Sequence, residues 1–515
     1  MKRNWLSCLL LAIAMMFTFT ACTPKTPEAP QGAVATKDTL VVGADREPVS
    51  LDPSALTVSY ARLIEHQIYD TLLKMDENLN IVGELAESWR QLDDLTWEFK
   101  LRKGVKFHNG DELTSKDVLF TFKRLYDLPP GSTAVKYIDP NGYETPDDHT
   151  FILRTTVKYA FLEAQLCSHY TNIVCERAVR EAGEQYARNP VGTGPYKFVS
   201  WAAGDNITVE RFDDYWGADK PKIKTIKFRF ITEQAARTIN LESGDIDLCI
   251  DIPENDAERI RNGAETNLVT GTSAQVRYLA FNCQRDIFKD KRVRQAIAHA
   301  TDVETIRKVI YGEDTSTPGV SPVPPGLPGR NEDLVAYEYN VEKAKQLMAE
   351  AGVSGLTVKY IYLANSANNM MAEMLQEMYK EIGVTLELNP MESGALSTAM
   401  NKGEQDFCVA GTSMEAFDAG KGLYDFFHTN SIGSTTNRTY LASPDVDAIL
   451  NDIVVETDSE ERARLVYEVQ KVIHEECPMI VICYQHKLVG MRKNVGGFVF
   501  VETGNYDLNK LYFTE

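Results

Sequence analysis

Histidines and neighbouring carboxylates are the residues of this 515-residue chain that could do chemistry. A zinc site on a helix needs two histidines one turn apart, but no second histidine follows His474-Glu475-Glu476. Asp93-Asp94 and Asp213-Asp214 are adjacent acids of a kind common in turns, and adjacency does not aim them at each other. Since the chain also has no Gly-x-Ser-x-Gly elbow, His-Glu-x-x-His or Walker loop, it predicts no catalytic residue, no metal site and no cofactor.

The triplet Gly192-Thr193-Gly194 looks like the start of a dinucleotide-binding loop. The fingerprint needs a third glycine, but Lys197 stands at its place, and the residues that follow predict a strand where the fingerprint needs a helix. A nucleotide site is therefore excluded. Pro190 and Pro195 fix their φ angles, and the glycines permit backbone angles that other residues avoid. Residues 189–196 are predicted to form a stiff crossing point between domains.

The N-terminus has the pattern of an export signal. Two basic residues precede an uncharged, mostly apolar run over 5–19, which is too short to span a membrane comfortably, and small residues stand directly before Cys22. This pattern predicts a lipoprotein signal peptide over 1–22, with lipid attached to Cys22. The proline-rich residues 23–37 have no hydrophobic period and predict a disordered tether.

Composition limits the classes of partner and the number of domains. A formal net charge of -20 argues against nucleic acid, because phosphate binding needs a basic surface. The length exceeds what one hydrophobic core supports, so two or three domains are expected. Seven cysteines lie beyond Cys22 without metal-binding spacing, and most stand in apolar runs, which predicts mainly buried free thiols.

Hydrophobic periodicity predicts the main elements of the first half of the chain. A glycine at 244 is a plausible stop for the last of its helices. The predicted strands cover 40–42, 97–101, 150–155, 196–201, 207–212 and 226–230, and the predicted helices cover 60–73, 115–125, 162–186 and 234–242.

Further along, strands and helices alternate in a way that predicts consecutive βαβ units and a mostly parallel sheet. Four methionines, Met370, Met371, Met374 and Met378, lie at helical core spacing and do not predict a sulfur ligand site. The predicted strands are 276–283, 356–363, 384–388, 406–410 and 479–484, and the predicted helices are 290–300, 368–382 (stopped by Gly383), 393–402 and 459–476.

Residues 189–196 (Asn-Pro-Val-Gly-Thr-Gly-Pro-Tyr) resemble a segment of the periplasmic peptide-binding proteins, which are family 5 of the extracellular solute-binding proteins that feed ABC importers. The same family is resembled, in the same order along the chain, by 85–89 (Leu-Ala-Glu-Ser-Trp), 97–110, 241–247 and 292–298. The resemblance extends from residue 40 to the C-terminus.

This resemblance implies an α/β fold: a two-lobe periplasmic-binding-protein clamshell with an extra domain inserted in the first lobe. It also implies an exported, lipid-anchored and monomeric receptor that closes on a ligand and serves an ABC permease with a separate ATPase. The expected segments are 38–64, 191–279 and 486–515 for the first lobe, 65–190 for the additional domain, and 280–485 for the second lobe.

The resemblance also suggests which residues contact the ligand. Asp52 lies in a Leu-Asp-Pro turn that the family places near the cleft, and Glu415 or Asp418 stands where the family keeps a carboxylate for the peptide α-amino group. Tyr362 begins Tyr-Leu-Ala where dipeptide receptors have Arg-Pro-Tyr, so longer peptides are the better expectation. A nickel chelate, sugar, haem or glutathione is the alternative ligand, and an exported glycoside-type hydrolase is the enzyme alternative.

Overall fold

The structure is a computed structural model that describes residues 37–55, 59–76, 79–127, 135–271, 275–413, 418–500 and 506–514. The chain divides into two compact units, Met1–Lys37 and Asp38–Glu515, and the second contains every element given below. The predicted signal peptide and nearly all of the predicted tether lie outside the described residues.

The strands of the described residues are, in chain order, β1 (Thr39–Ala44), β2 (Leu73–Met75), β3 (Ile81–Gly83), β4 (Ala86–Gln91), β5 (Thr96–Leu101), β6 (Ile138–Asp147), β7 (Thr150–Thr155), β8 (Tyr196–Ala202), β9 (Asn206–Arg211), β10 (Thr225–Phe230), β11 (Leu248–Ile250), β12 (Thr266–Gly271), β13 (Gln275–Phe281), β14 (Ser316–Pro318), β15 (Leu356–Leu363), β16 (Val384–Met391), β17 (Phe407–Ser413), β18 (Met479–Gln485), β19 (Lys487–Arg492), β20 (Val495–Gly496) and β21 (Tyr512–Phe513).

The α-helices of the same residues are α1 (Ser59–Ile68), α2 (Ser115–Tyr126), α3 (Leu162–Gln165), α4 (Glu176–Ala182), α5 (Gln234–Ser243), α6 (Glu254–Arg261), α7 (Lys291–His299), α8 (Val303–Ile306), α9 (Val341–Glu350), α10 (Ser366–Lys380), α11 (Ser393–Asn401), α12 (Ala419–Phe427), α13 (Pro444–Val455) and α14 (Ser459–Glu476).

Three sheets carry the architecture. The first lobe is built on a seven-stranded sheet in the order β12-β19-β11-β1-β10-β9-β8, where β1 runs parallel to β10 and β11. The second lobe is built on a six-stranded sheet in the order β14-β18-β13-β17-β15-β16, and the added domain on a four-stranded sheet in the order β4-β5-β7-β6. The segment limits predicted for these parts stay predictions.

The sheet of the second lobe is mixed, so the prediction of a mostly parallel sheet is wrong. β15 pairs in parallel with β16 and β17, as the βαβ pattern predicted. β13 and β18, however, run antiparallel to their neighbours, and β14 pairs antiparallel with β18. The directions of β13 and β18 depend on the crossings that join these strands to the first lobe. Local hydrophobic periodicity carries no information about such crossings.

Several predicted helix limits are confirmed because their signals are local. α5 ends at Gly244, whose φ of 85° is the left-handed conformation that a glycine stop provides. Gly383 has a φ of 74° but lies three residues beyond Lys380, where α10 ends with Glu381 as its C-cap, so the predicted end at 382 is two residues late. α14 covers the predicted 459–476, with Asp458 accepting from the backbone N–H groups of Glu460 and Glu461 as its N-cap.

Two predicted helices are shorter than expected, and hydrogen bonds to distant segments explain both. The helix predicted over 60–73 ends at Ile68, whose carbonyl accepts from the N–H of Gly194 at 2.8 Å. The stretch 162–186 is interrupted because Ile173 and Val174 use their N–H groups elsewhere, on Asp70 O at 3.0 Å and on Thr121 Oγ1 at 3.2 Å. Only long-range partners decide these breaks.

The crossing segment 189–196 packs against the end of α1 and against His108. His108 Nε2 lies 2.9 Å from Gly194 O, and Gly192 N donates to His108 Nδ1 at 3.3 Å, so the neutral imidazole donates from Nε2 and accepts at Nδ1. Burial lowers the pKa of His108 to about 4, which keeps this ring neutral. The segment ties the first lobe to the added domain through backbone contacts.

Cysteines and methionines largely follow the sequence prediction. All seven cysteines of the described residues are free, and all but the half-buried Cys283 are buried. Burial raises the pKa of Cys408 to about 12, which keeps this thiol protonated and unreactive. Met371 is fully buried and Met374 and Met378 pack against the same core, whereas Met370 is exposed.

Candidate ligand-binding cleft

The two lobes are joined by two short crossings that lie side by side. The chain leaves the first sheet at Gly271 and enters the second at Gln275, and it returns between Gln485 and Lys487 with His486 alone between the strands. Since β13 starts and β18 ends at this edge, the carboxyl ends of β15 and β17 meet there too. In open α/β sheets ligands bind at the carboxyl ends of the strands, so this edge is the candidate site.

Hydrogen bonds connect the two lobes at this edge. Arg277 Nε, on β13, donates to Gln485 Oε1 at 2.7 Å. Gln485 Nε2 in turn donates to Glu254 Oε1, which belongs to the first residue of α6 in the first lobe. A single glutamine therefore links an arginine of one lobe to a carboxylate of the other.

The outer part of Arg277 lies over β17. Arg277 and Gly411 are paired residues of β13 and β17, and a Cβ built on Gly411 would lie 2.2 Å from Arg277 Nη1. Gly411 is exposed and Arg277 half-buried. Neither Nη atom of Arg277 has a hydrogen-bond or ion-pair partner among the residues that the structure describes.

On the first-lobe side of this edge, the charged residue is Asp251. It directly follows β11, and its φ of 61° is unusual for a residue with a side chain. Its side chain is exposed, yet the surrounding protein and the charge of Asp45 raise the pKa of its carboxyl, while Lys487 opposes the shift. A carboxyl with a raised pKa at a strand end beside a cleft is a candidate for contact with a ligand.

Sequence reasoning missed both Arg277 and Asp251, although each left a signal. Arg277 alternates with Leu279 and Phe281 on one face of β13, which places a cation on an otherwise apolar strand face. Asp251 ends the apolar run Leu248–Ile250 at a strand terminus. The sequence alone does not say that the two strand ends belong to facing lobes.

Asp52 is engaged in a structural ion pair. Its Oδ1 accepts from Arg124 Nη1 at 2.8 Å, its Oδ2 accepts from Arg124 Nη2, and Ser54 donates to Oδ1 from both its backbone N–H and its hydroxyl at 3.0 Å. Arg124 belongs to α2, so the pair connects the first lobe to the added domain. The predicted ligand contact of Asp52 stays a prediction.

Tyr362 lies one residue before the end of β15 and is 3% exposed. Its ring stacks on Tyr360 with the ring centroids 5.1 Å apart. Burial raises the pKa of the Tyr362 hydroxyl, with a further contribution from the charge of Glu373. The ring therefore belongs to the core beneath the strand end, and its role toward a ligand is untested.

Asp418 is occupied at the start of α12. Its Oδ1 accepts from the backbone N–H of Gly420 at 2.8 Å, and its Oδ2 lies 3.3 Å from Arg462 Nε. Glu415, the other predicted anchor for an α-amino group, lies outside the described residues. Of the two acids, the structure thus assigns an intramolecular partner to Asp418.

The described part of the chain contains no group of three or more His, Cys, Asp or Glu side chains arranged to hold a metal ion. Within the same residues, no helix is long and apolar enough to cross a membrane.

Residues 80–434 match the family model described as "Bacterial extracellular solute-binding proteins, family 5 Middle". The chain belongs to this family. The sequence resemblance is thereby confirmed, and this family-5 protein is an exported solute-binding receptor of an ABC importer.

Relatives of the family-5 protein span nearly its whole length. Oligopeptide-binding protein AppA of Bacillus subtilis is 29% identical over 501 residues, 90% of this chain and 89% of that protein. Heme-binding protein A of Haemophilus influenzae is 27% identical over 498 residues, 90% of each chain. The structure of the periplasmic binding protein DppA from Helicobacter pylori in complex with the peptide STSA matches with a TM-score of 0.81 and 26% identity, over 93% of this chain and 99% of that one.

These matches confirm the predicted fold class, a two-lobe α/β clamshell with an additional domain in the first lobe. The edge described above lies between the two lobes of this fold, because the crossings at 271–275 and 485–487 join those lobes. The relatives are binding proteins, and none of those compared above is named as an enzyme.

Proposed function

We propose that this receptor captures peptides between its two lobes and presents them to its permease without chemically changing them. The observation that carries the proposal is the edge where the two lobes meet, at which Arg277 near the start of β13 offers a cation, and Asp251 after β11 and Glu254 at the start of α6 offer carboxylates. A peptide is a chain with opposite charges at its ends, which suits such a surface. The peptide bound by the relative from Helicobacter pylori supports the same ligand class.

The two short crossings between the lobes suggest how a peptide is captured, which is by closure of the lobes around it. Two short crossings allow the lobes to rotate about one line, and a ligand that contacts both strand ends favours the closed arrangement. We propose that the protein works as a monomer, because one chain carries both halves of the cleft. ATP hydrolysis then belongs to the separate ATPase of the importer.

We propose Glu415 as the anchor for the α-ammonium group of the peptide. A buried ammonium needs a carboxylate partner, because an unpaired charge is costly to remove from water. Asp418 already caps α12 and pairs with Arg462, so its loss would weaken this helix start as well. Asp52, similarly, already pairs with Arg124.

Native mass spectrometry of the protein purified from its own host tests the ligand class. We expect retained peptides, and we expect a synthetic copy of a retained peptide, at about 100 times Kd, to stabilise the protein by about 2.7 kcal/mol. The N-acetylated copy should bind at least about tenfold more weakly. In the Glu415→Gln protein the free and acetylated copies should bind alike, whereas Glu404→Gln, a change elsewhere in the second lobe, should preserve the difference.

Other results would each contradict a different part of the proposal. A retained haem, nickel chelate, sugar or glutathione would replace peptide as the ligand class. Hydrolysis of the added peptide or of a glycoside by the purified protein would overturn the assignment as a receptor. Equal binding of free and acetylated peptides to the unchanged protein would remove the amino anchor and leave peptide capture standing.

The lipid anchor is proposed at Cys22, since small residues directly before this cysteine suit a lipoprotein cleavage site. Replacing Cys22 by serine should move the protein from the membrane fraction to the soluble fraction, or leave its signal uncleaved. Membrane fractionation and the mass of the N-terminal peptide measure both outcomes. A Cys167→Ser protein, changed at a buried thiol, is the matched control and should stay with the membrane. An unchanged membrane fraction for Cys22→Ser would refute the anchor.

A further inference from the structure

We infer that Arg277 binds a carboxylate of the ligand through its two terminal amino groups. The inference rests on the proposed function, because it assigns one charged group of the peptide to one side chain. It names a residue that neither the sequence motifs nor the family resemblance singled out. Its basis is the hydrogen bonding around the guanidinium and the open space beside it.

Among the described residues, the guanidinium uses one of its five N–H donors. Its Nε donates to Gln485 Oε1 at 2.7 Å, and both Nη atoms lack a partner among the described residues. Other arginines of the second lobe pair with carboxylates: Arg285 with Asp406 at 3.2 Å, Arg294 with Glu476 at 3.1 Å, and Arg307 with Glu304 at 2.8 Å. Arg277 therefore presents the donors that form a two-bond fork with a carboxylate.

Gly411 makes room for this fork. The strand residue opposite Arg277 has no Cβ, and one added there would lie 2.2 Å from Nη1 and 2.9 Å from Cζ. Because Gly411 is exposed, the guanidinium rests on an open part of the strand. A side chain at 411 would push the guanidinium away from this position, so the glycine fixes where the fork lies.

Gln485 holds the arginine in place and connects it to the first lobe. Its carboxamide oxygen accepts from Arg277, and its amino group donates to Glu254. Gln485 and Glu254 belong to different lobes, so this contact couples the position of the fork to the arrangement of the lobes. Gln485 is therefore a positioning residue, through which the arrangement of the lobes orients the fork.

The charge around the fork also suits a carboxylate of a peptide. Glu254 accepts a hydrogen bond from Gln485, and neither Glu254 nor Asp251 forms an ion pair with Arg277 in the described part of the chain. A guanidinium carries its charge at all pH values relevant to the cell. An anionic group of the ligand would complete its hydrogen bonds, while the acids of the first lobe remain for cationic groups.

The test compares two randomised tetrapeptide libraries, one with free C-terminal acids and one with C-terminal amides, both made without Asp and Glu. Each is offered to the full-length protein, and bound peptides are quantified by native mass spectrometry. We expect the unchanged protein to prefer the acids by about 10- to 100-fold. In Arg277→Met this preference should fall below about threefold, while the amides bind as well as before. Arg464→Met, on the exposed face of α14, should keep it.

Further variants separate binding from folding. Arg277→Lys keeps the charge without the fork and should retain an intermediate preference. Gly411→Ala keeps the arginine but displaces it, and Gln485→Met removes its orienting acceptor, so both should lower the preference for acids. These changes leave amide binding as an internal measure of an intact cleft.

Each outcome decides a different question. An unchanged preference for acids in Arg277→Met, or no preference in the unchanged protein, would overturn the assignment of Arg277 and leave peptide capture intact. Uptake of neither library by the unchanged protein would refute the proposed peptide ligand, and the role of Arg277 with it.

Discussion

Replacing Gly194 by alanine is expected to destabilise the protein by more than about 3 kcal/mol and to deplete its soluble, folded form. A Cβ at this position would lie 2.6 Å from the carbonyl carbon of Ile68 and 2.8 Å from Gln67 O, both backbone atoms. Backbone cannot move aside as a flexible side chain does. The same approach forms the 2.8 Å hydrogen bond from Gly194 N to Ile68 O. Urea unfolding followed by tryptophan fluorescence measures the loss.

Gly394→Ala is the matched control. Gly394 lies in the first turn of α11, has no positive φ, and has nothing within 4 Å of a built Cβ. Alanine should therefore be neutral there or stabilise the protein by up to about 1 kcal/mol. Equal stability of Gly194→Ala and the unchanged protein would show that the crossing segment tolerates a side chain and that the close approach to α1 is not required.

Replacing Asp70 by asparagine is expected to stabilise the protein at high pH. Asp70 is 4% exposed, and burial together with the charge of Glu84 raises the pKa of its carboxyl to about 7. Its Oδ2 accepts from Thr193 Oγ1 at 2.8 Å and from Trp216 Nε1 at 2.9 Å. The asparagine oxygen can keep both hydrogen bonds, so the substitution removes the charge and preserves the acceptor.

The pH dependence has a definite sign. The folded protein holds the Asp70 proton more tightly than the unfolded chain, where the pKa is near 3.8, so the free energy of unfolding falls as the pH rises from about 4 to about 7. Asp70→Asn lacks this loss. Its advantage over the unchanged protein should grow by about 2 kcal/mol between pH 5 and pH 8.

Chemical unfolding at several pH values measures this difference. Asp213→Asn is the control, because the Asp213 side chain is 82% exposed and pairs with Arg211 at the surface. It should change the stability by less than about 0.5 kcal/mol at each pH. Parallel stability curves for Asp70→Asn and the unchanged protein would contradict a raised pKa at Asp70.

The sequence by itself determined the features whose causes are local. Strand 356–363 and helix 459–476 were predicted at their observed limits, since alternation, caps and helical spacing act between near neighbours. Gly244 was predicted as a helix stop because the left-handed conformation that ends a helix favours glycine. The order and spacing of several short motifs were sufficient to predict the family, because chance agreement of all of them in one order is very unlikely.

Only the tertiary structure decided the features that depend on partners distant in sequence. Gly192 and Gly194 were predicted to supply unusual backbone angles, but neither has a positive φ, and both are needed because α1 approaches too closely for a side chain. The directions of β13 and β18 depend on their crossings to the first lobe.

The candidate site divides in the same way. From motif positions, the sequence predicted several acids and a tyrosine as ligand contacts. In the folded protein, two of these acids form ion pairs with distant arginines, Asp52 with Arg124 and Asp418 with Arg462. In the sequence, little distinguishes Arg277 from the other charged residues. Its position became a candidate site because the fold packs β17, β18 and α6 around it. That its two Nη atoms have no partner among the described residues is a property of that assembly, because it depends on which distant segments are packed around the guanidinium.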